Sequence, residues 1–405
     1  MIKVKMKEIK NKKRVHSEQG RRVFVAMSGG VDSSVAAALL KKQGYDVTGV
    51  FMKNWTQPVE TYCRKKSLCW IDERRDAMRV AAKLDIPLLT FDFEKEYRKQ
   101  VVDYMFCEYK AGRTPNPDIQ CNKLIKFPLF WKRAKKMGAD FIATGHYIRL
   151  RNTNQYEYTN KGFKNSYIRK KFVLRKLFQA KDKNKDQSYF LWTLTQDQLK
   201  YCLFPIGDYL KSEVRQMAKK LGLQNALKKG TSGICFIGEV KLKEFLKKKI
   251  KEKPGKIVTT EGKVIGEHPG IFYFTIGQRH LGIMNYELGI KGQHKIKPYY
   301  VAEKDVKTNT LIVAEGENNP ALYRKEIELK EVNLINPELN TIKKQSVLVR
   351  VRYRQPLAKA MLKCHKSSVI SCKLIFNKPI KFVAPGQSAV FYSKTGELLG
   401  GGVIK

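Results

Sequence analysis

Residues 21–52 read RRVFVAMSGGVDSSVAAALLKKQGYDVTGVFM. The apolar run Val23–Met27 predicts a short buried strand. A glycine–serine loop, Ser28–Ser34, comes next. The alanine- and leucine-rich segment after it predicts a helix closed by Gly44. Val47–Phe51 reads as the next strand. Strand, loop, helix and strand in that order make a βαβ unit, which demands a parallel sheet. Such sheets bind ligands at the carboxyl ends of their strands, where this loop sits. Gly29 and Gly30 let backbone N–H groups approach an anion. The helix N-terminus adds positive potential, and Ser28, Ser33 and Ser34 add hydroxyl donors.

The βα alternation continues outward from this unit. Residues 72–84 predict a helix, 86–93 a strand, 96–113 a helix, 123–137 a helix, and 140–147 a strand ending in a turn. That turn, Thr144-Gly145-His146-Tyr147, lies at a strand C-terminus and is expected to face the same cleft, with His146 toward a ligand. The helix 211–222 is expected to close the domain. Strands with Gly/Pro turns and a lysine-rich helix near 240–253 follow, read as a small linker domain. From 299 onward the pattern is all-β and predicts a small barrel. The expected division is a basic extension over 1–20, a catalytic domain over 21–228, a central domain over 229–298 and a barrel over 299–405. Arg350, Arg352 and Arg354 alternate along one predicted strand, which places them on one face.

Composition narrows the function. The chain has 405 residues, 42% of them apolar, and a formal charge of +43, which points to a polyanionic partner such as nucleic acid. No run of about 18 apolar residues predicts a membrane span. The basic N-terminus lacks the apolar core of a secretion signal. Eight cysteines occur without a Cys-x-x-Cys, and the six histidines show no zinc spacing. Mostly free thiols in a reducing, cytoplasmic compartment are expected. No metal site is assigned.

The loop lacks the Gly-Lys-[Ser/Thr] ending of a Walker A motif. Ser-Gly-Gly-x-Asp-Ser-Ser instead resembles the pyrophosphate loop (PP-loop) of ATP pyrophosphatases. With AMSGGVDSSVAA (26–37), GVFMKNW (49–55), EYKAGRTPNPDIQCNKLIKF (108–127), GADFIATGHY (138–147), KDQSYFL (185–191), SGICFIGE (232–239), GEHPGIFYFTIGQR (266–279), VRYRQ (351–355) and PGQSAVFY (385–392), the chain resembles the bacterial tRNA-uridine 2-sulfurtransferases. Outside these matches lie the first twenty or so residues and a long, very basic stretch near 152–180.

The resemblance implies an α/β PP-loop domain with a parallel sheet, a small central domain and a C-terminal β-barrel. It implies ATP-dependent 2-thiolation of the tRNA wobble uridine. ATP would lie against Ala26, Met27, Ser28, Gly29, Gly30, Val31, Asp32, Ser33 and Ser34, with Met52 and Gly145 around the nucleotide. Asn116, Pro117 and Asp118 would hold the target base, with Asp118 as acid or base. His146, Lys185, Asp186, Gln187, Arg352, Tyr353 and Gln387 would touch tRNA. Cys121 would be the nucleophile, Cys235 would carry the persulfide, and the two would join in a transient disulfide. Mg²⁺ is expected with ATP. The expected partners are the tRNAs for Lys, Glu and Gln and a persulfide relay protein fed by a cysteine desulfurase. A monomer is expected.

The chemistry needs those parts. Uridine O2 is a poor leaving group, so ATP must activate it. Sulfur must arrive activated, and a persulfide attacked by a second cysteine supplies it. A base stacked in a loop must be flipped out to react. The helix start and Lys123 are expected to favour the Cys121 thiolate. An iron–sulfur cluster on Cys121, Cys235 and a third ligand is the rival use of these cysteines, but no ligand spacing supports it. Two other functions compete: a PP-loop ligase or amidotransferase activating a small carboxylate, and an RNA-binding protein with a decayed site. The paired cysteines weigh against the first, and the intact loop, Asp118 and cysteines against the second. Three departures from the family pattern stand out: Gly230 replaces an Asp before Cys235, GQRHLGI (277–283) is a residue short, and 152–180 is longer.

Overall fold

The protein is described by a computed structural model over residues 20–56, 70–160, 167–228, 242–247, 249–279, 281, 297–337, 339, 344–365 and 371–405, with backbone alone at 154–160, 167–172 and 365. The quoted stretch forms β1 (Arg22–Ala26), α1 (Val31–Lys42) and β2 (Asp46–Lys53). Then come β3 (Leu88–Asp92), β4 (Phe141–Ala143), a long hairpin of β5 (Ile148–Asn160) and β6 (Tyr167–Gln179), and β7 (Cys202–Leu203). The first sheet has the order β3-β2-β1-β4-β7, with every pairing parallel. The chain builds outward from β1 on one side, then returns to the other. The crevice at the strand ends of β1 and β4 is therefore the switch point where ligands bind.

Both faces of this sheet are covered, as parallel pairing requires. Val23 and Val25 of β1 pack with Val35, Ala36 and Ala37 of α1. Phe24 points to the opposite face, with Phe91, Phe127, Phe130 and Ile142. Small alanines let α1 lie close to the strand, which fixes the loop between them.

The central sheet joins β8 (Gly255–Thr259) and β9 (Val264–His268) to β10 (Tyr299–Asp305) and β11 (Thr310–Glu315). The sequence pattern assigned the last two to the barrel. Their alternation is equally suited to either sheet, and the parallel β11–β8 pairing decides it. The lysine-rich helix is short, Leu242–Lys247. Its Phe245 and Leu246 are buried in the catalytic-domain core, with Phe245 stacked on Phe106. Its apolar face is thus committed inward.

The barrel comprises β12 (Tyr323–Leu334), β13 (Lys344–Arg350), β14 (Ala358–His365), β15 (Ser371–Lys381), β16 (Ser388–Tyr392) and β17 (Glu397–Ile404). A β12–β17 pairing closes it, and the β5–β6 hairpin extends from β17. Cys364 and Cys372 face each other across β14 and β15 and form a disulfide. The sequence leads one to expect mostly free thiols, and this pair departs from that because the register of the hairpin brings the two together. Cys107, Cys121 and Cys202 are free. Among the described residues no helix is long and apolar enough to cross a membrane.

Candidate active site

The phosphate loop lies where the sequence placed it. Gly29 has φ +70°, and a Cβ there would sit 2.3 Å from the Glu73 carbonyl oxygen, so only glycine fits. Gly30 is the N-cap of α1 and no side chain caps it, which leaves that helix end open toward an anion. Ser28 is exposed. Ser33 and Ser34 differ from expectation. Both are buried, and their hydroxyls donate to the Gly30 carbonyl at 3.1 and 2.9 Å. They shape the loop from behind, because the first helical turn turns them inward.

Residues far away in sequence brace the same loop. Asn225 donates to the Gly29 carbonyl at 3.0 Å and to Ser34 Oγ at 2.9 Å. Lys211 bonds both carboxylate oxygens of Asp32, at 2.6 and 2.7 Å, and the Tyr147 hydroxyl donates to Asp32 at 2.8 Å. Asp182 accepts from the Lys211 backbone N–H at 2.9 Å, fixing the start of the helix Lys211–Lys220. An aspartate beside a phosphate site repels its ligand, and Lys211 cancels that charge. No sequence spacing links residues 32, 147, 211 and 225; only the fold does. Gly145 packs directly on α1, where a Cβ would lie 2.6 Å from the Ser33 backbone nitrogen. Met27 and Met52 are buried at the ends of β1 and β2.

Cys121 ends a short helix, Pro117–Cys121, that runs on through a π-helical segment, Asn122–Leu129, into Phe130–Lys136. Asn116 caps it, its side chain accepting the Ile119 N–H at 3.2 Å, and Pro117 begins it. The barrel clamps the turn before it. Gln387 donates to the carbonyls of Thr114 and Pro115, and Thr114 N–H donates to Pro385 O.

The thiol is fully buried, and burial pushes it up to about 12. Lys126 acts in the opposite direction and Asp118 adds to the rise. Relative to an ordinary thiol this amounts to roughly 4 kcal/mol in favour of the neutral form. The expected thiolate is therefore absent in this conformation. Cys121 sits in the fifth helical position, past the first turn where the dipole acts. Lys123 turns away and pairs with Glu331 at 2.8 Å. Lys126, buried and one π-turn beyond the cysteine, is the lysine that acts on it. Sequence reading passed over Lys126 because a 3.6-residue period puts it off the cysteine's face. Iodoacetamide will accordingly modify Cys121 of the free protein on the order of 10²-fold more slowly than exposed Cys107 at neutral pH, as peptide mass spectrometry would report. Equal rates would contradict the buried, neutral thiol.

His146 is buried between Phe127 and Phe204, and its Nδ1 shares a 2.7 Å hydrogen bond with the Thr144 hydroxyl. Burial first, then Lys126, keeps its pKa well below the usual histidine value, so the ring is neutral. Asp186 is also interior. It accepts from Gln179, from the Ala180 and Ser188 N–H groups and from the Ser188 hydroxyl. Gln187 accepts the Tyr147 N–H at 3.0 Å, while Lys185 is exposed. The three alternating arginines do not share one face. β13 stops at Arg350, whose guanidinium turns inward to Asp186 at 3.7 Å. Arg352 donates to the Ile276 carbonyl, and Arg354 has φ +65°. Tyr353 packs on Phe190. Cys235, the altered loop before it, Cys63 and Cys69 lie outside the described residues. Among the described residues no group of three or more His, Cys, Asp or Glu side chains is arranged to hold a metal ion.

Comparison with known proteins agrees with this architecture. Three family descriptions match in sequence: a tRNA methyl transferase HUP domain over residues 21–239, a tRNA methyl transferase PRC-barrel domain over 243–315 and an aminomethyltransferase beta-barrel domain over 324–404. The chain is 44% identical over 393 residues to the tRNA-specific 2-thiouridylase MnmA of Shigella flexneri serotype 5b, covering 96% of this chain and 98% of that one. The MnmA of Escherichia coli O157:H7 matches with the same identity and coverage. Among solved structures, a 4-thiouridine synthetase–RNA complex with bound ATP overlaps at 18% identity and a TM-score of 0.35, over 56% of this chain and 50% of that one. The chain belongs to the MnmA family of tRNA-specific 2-thiouridylases.

Proposed function

We propose that the protein converts the wobble uridine of tRNA to 2-thiouridine, using ATP to activate O2 and a cysteine persulfide as the sulfur source. The observation that carries this reading is spatial. The phosphate loop at the end of β1 and the Gly145–His146 turn at the end of β4 share one sheet edge, in a chain alike to 2-thiouridylases over 96% of its length.

The triphosphate lies against Gly29, Gly30, Ser28 and the open end of α1, with the nucleoside beside Met52 and Gly145. Lys211 cancels the charge of Asp32 as the polyanion enters. Mg²⁺ would come with the triphosphate, held chiefly by phosphate oxygens because Lys211 occupies both oxygens of Asp32, and would offset phosphate charge. Asn116–Asp118 hold the flipped uridine, with Asp118 moving the proton. O2 attacks the α-phosphate and pyrophosphate leaves. Cys121 then attacks the Cys235 persulfide, forming the Cys121–Cys235 disulfide and releasing hydrosulfide. Hydrosulfide adds at C2 and AMP departs; a thiol reductant later reopens the disulfide. The buried Cys121 must be uncovered before it reacts, so tRNA or ATP binding opens its surroundings. Lys185, Gln187, Arg352, Tyr353 and Gln387 meet the tRNA or support the parts that do. His146 and Asp186, both interior, support them from behind. The tRNAs for Lys, Glu and Gln, a persulfide relay protein, a monomeric state and the cytoplasm complete the proposal.

Incubation with ATP, a persulfide donor and unmodified tRNA tests it. 2-Thiouridine in the digested tRNA is expected, and its absence with a donor of proven activity would overturn the reading.

A further inference from the structure

Among the described residues, the β5–β6 hairpin pairs with the barrel at its base. β17 pairs with β6 at Leu177 and Phe178. From Asn152 and Arg175 outward, the two strands pair with each other through Asn160 and Tyr167. Nine residue pairs at about 3.3 Å each make a ribbon of about 25–30 Å. It is rooted at the candidate site: β5 begins one residue after Tyr147, and β6 ends just before the 181–187 segment that carries Lys185 and Gln187.

The register sorts the ribbon's residues by face, because directly opposed residues share a face and successive ones alternate. Tyr156 opposes Lys171, Tyr158 opposes Arg169 and Asn160 opposes Tyr167, all on one face. That face carries three tyrosines and two cations and, over these pairs, no acid. On the other face Glu157 opposes Lys170, which cancels the charge. A random excess of lysine would load both faces alike. From Gln155–Phe172 outward, three of the four aromatic residues and two of the three cations fall on one face, Phe172 and Lys170 lying on the other. Such an enriched face is the pattern that binds RNA, with rings for unstacked bases and cations for phosphates.

We infer that the β5–β6 ribbon is an RNA-gripping arm that holds the tRNA beyond the reacting uridine through the Tyr156, Tyr158, Tyr167, Arg169 and Lys171 face. The inference rests on the reading of tRNA as substrate. Removing one cation that pairs with a phosphate lowers the slope of log affinity against log salt by roughly 0.7–0.9.

The test measures tRNA affinity across a salt series for the full-length protein, an Arg169→Glu/Lys171→Glu variant, a Tyr156→Ala/Tyr158→Ala variant and a Lys170→Glu variant. A variant with Asn-Gly replacing 154–173 checks that the rest still folds. The first two are expected to weaken binding about tenfold or more, and the charge variant to flatten the salt slope by roughly 1.5. Lys170→Glu is expected to change affinity less than threefold. ATP binding should be the same throughout. Unchanged affinity in both face variants overturns the inference. So does an equal loss in Lys170→Glu, which would mean unsorted charge attraction. Unchanged tRNA affinity with poorer use of a persulfide relay protein assigns the arm to that protein and overturns the RNA assignment. If the parent protein itself fails to bind tRNA, the substrate reading falls instead.

Discussion

Replacing Cys121 by serine will lower 2-thiouridine formation on the order of 10³-fold or more, while tRNA-dependent release of pyrophosphate from ATP continues. In the proposed mechanism the two half-reactions use different parts of the cleft. Activation there draws on the glycine loop, α1 and the Lys211–Asp32 pair, none of which contains Cys121. Sulfur transfer needs a thiol. Serine is close in size, so the fully buried site keeps its packing. Its hydroxyl needs a partner, and the cost of about 1–2 kcal/mol will show as a modest drop in melting temperature. Thiolation and pyrophosphate release should both be measured. Loss of both would mean that Cys121 shapes the nucleotide site. Retention of both would assign sulfur transfer to another thiol.

Gly145→Ala will reduce pyrophosphate release by about 10²-fold, although it adds one methyl group. That methyl would lie 2.6 Å from the Ser33 nitrogen and 2.8 Å from the Asp32 carbonyl carbon. Both are backbone atoms, so neither rotates away. The start of α1 must shift from β4, taking Gly29 and Gly30 with it. A displacement near 1 Å at a reacting centre costs rates of this order. The substitution lies outside the glycine loop, so the effect separates a packed crevice from a loop that binds phosphate alone. Initial rates at saturating tRNA over a range of ATP concentrations report it. Wild-type rates would show that α1 and β4 do not meet as described.

The fold was legible where one local pattern sufficed. β1, α1 and β2 follow from apolar runs bracketing Gly29–Gly30, and the quoted stretch alone implies the parallel sheet. Patterns that two neighbours can satisfy equally were less legible. Tyr299–Asp305 and Thr310–Glu315 alternate well enough for a barrel, yet they pair with β8 and β9. The candidate site divides the same way. Gly29, Gly30 and Asn116 act through backbone geometry written into a few adjacent residues. The charge state of Cys121 depends on burial and on Lys126, neither visible in PNPDIQC. Lys211, Asn225 and Gln387 bond to partners far away along the chain, and only tertiary packing reveals them. Arg350 and Arg352 show the reverse error, since an alternating pattern placed them with Arg354 on one face, whereas the strand ends at Arg350 and both guanidinium groups find internal partners.

If one cleft activates and thiolates a single uridine, mass spectrometry of nuclease fragments from tRNA incubated with the protein, ATP and a persulfide donor will show an oxygen-to-sulfur mass increase confined to the wobble uridine, present with ATP and absent when ATP is omitted. Sulfur at another nucleotide, or at the wobble uridine without ATP, would contradict it.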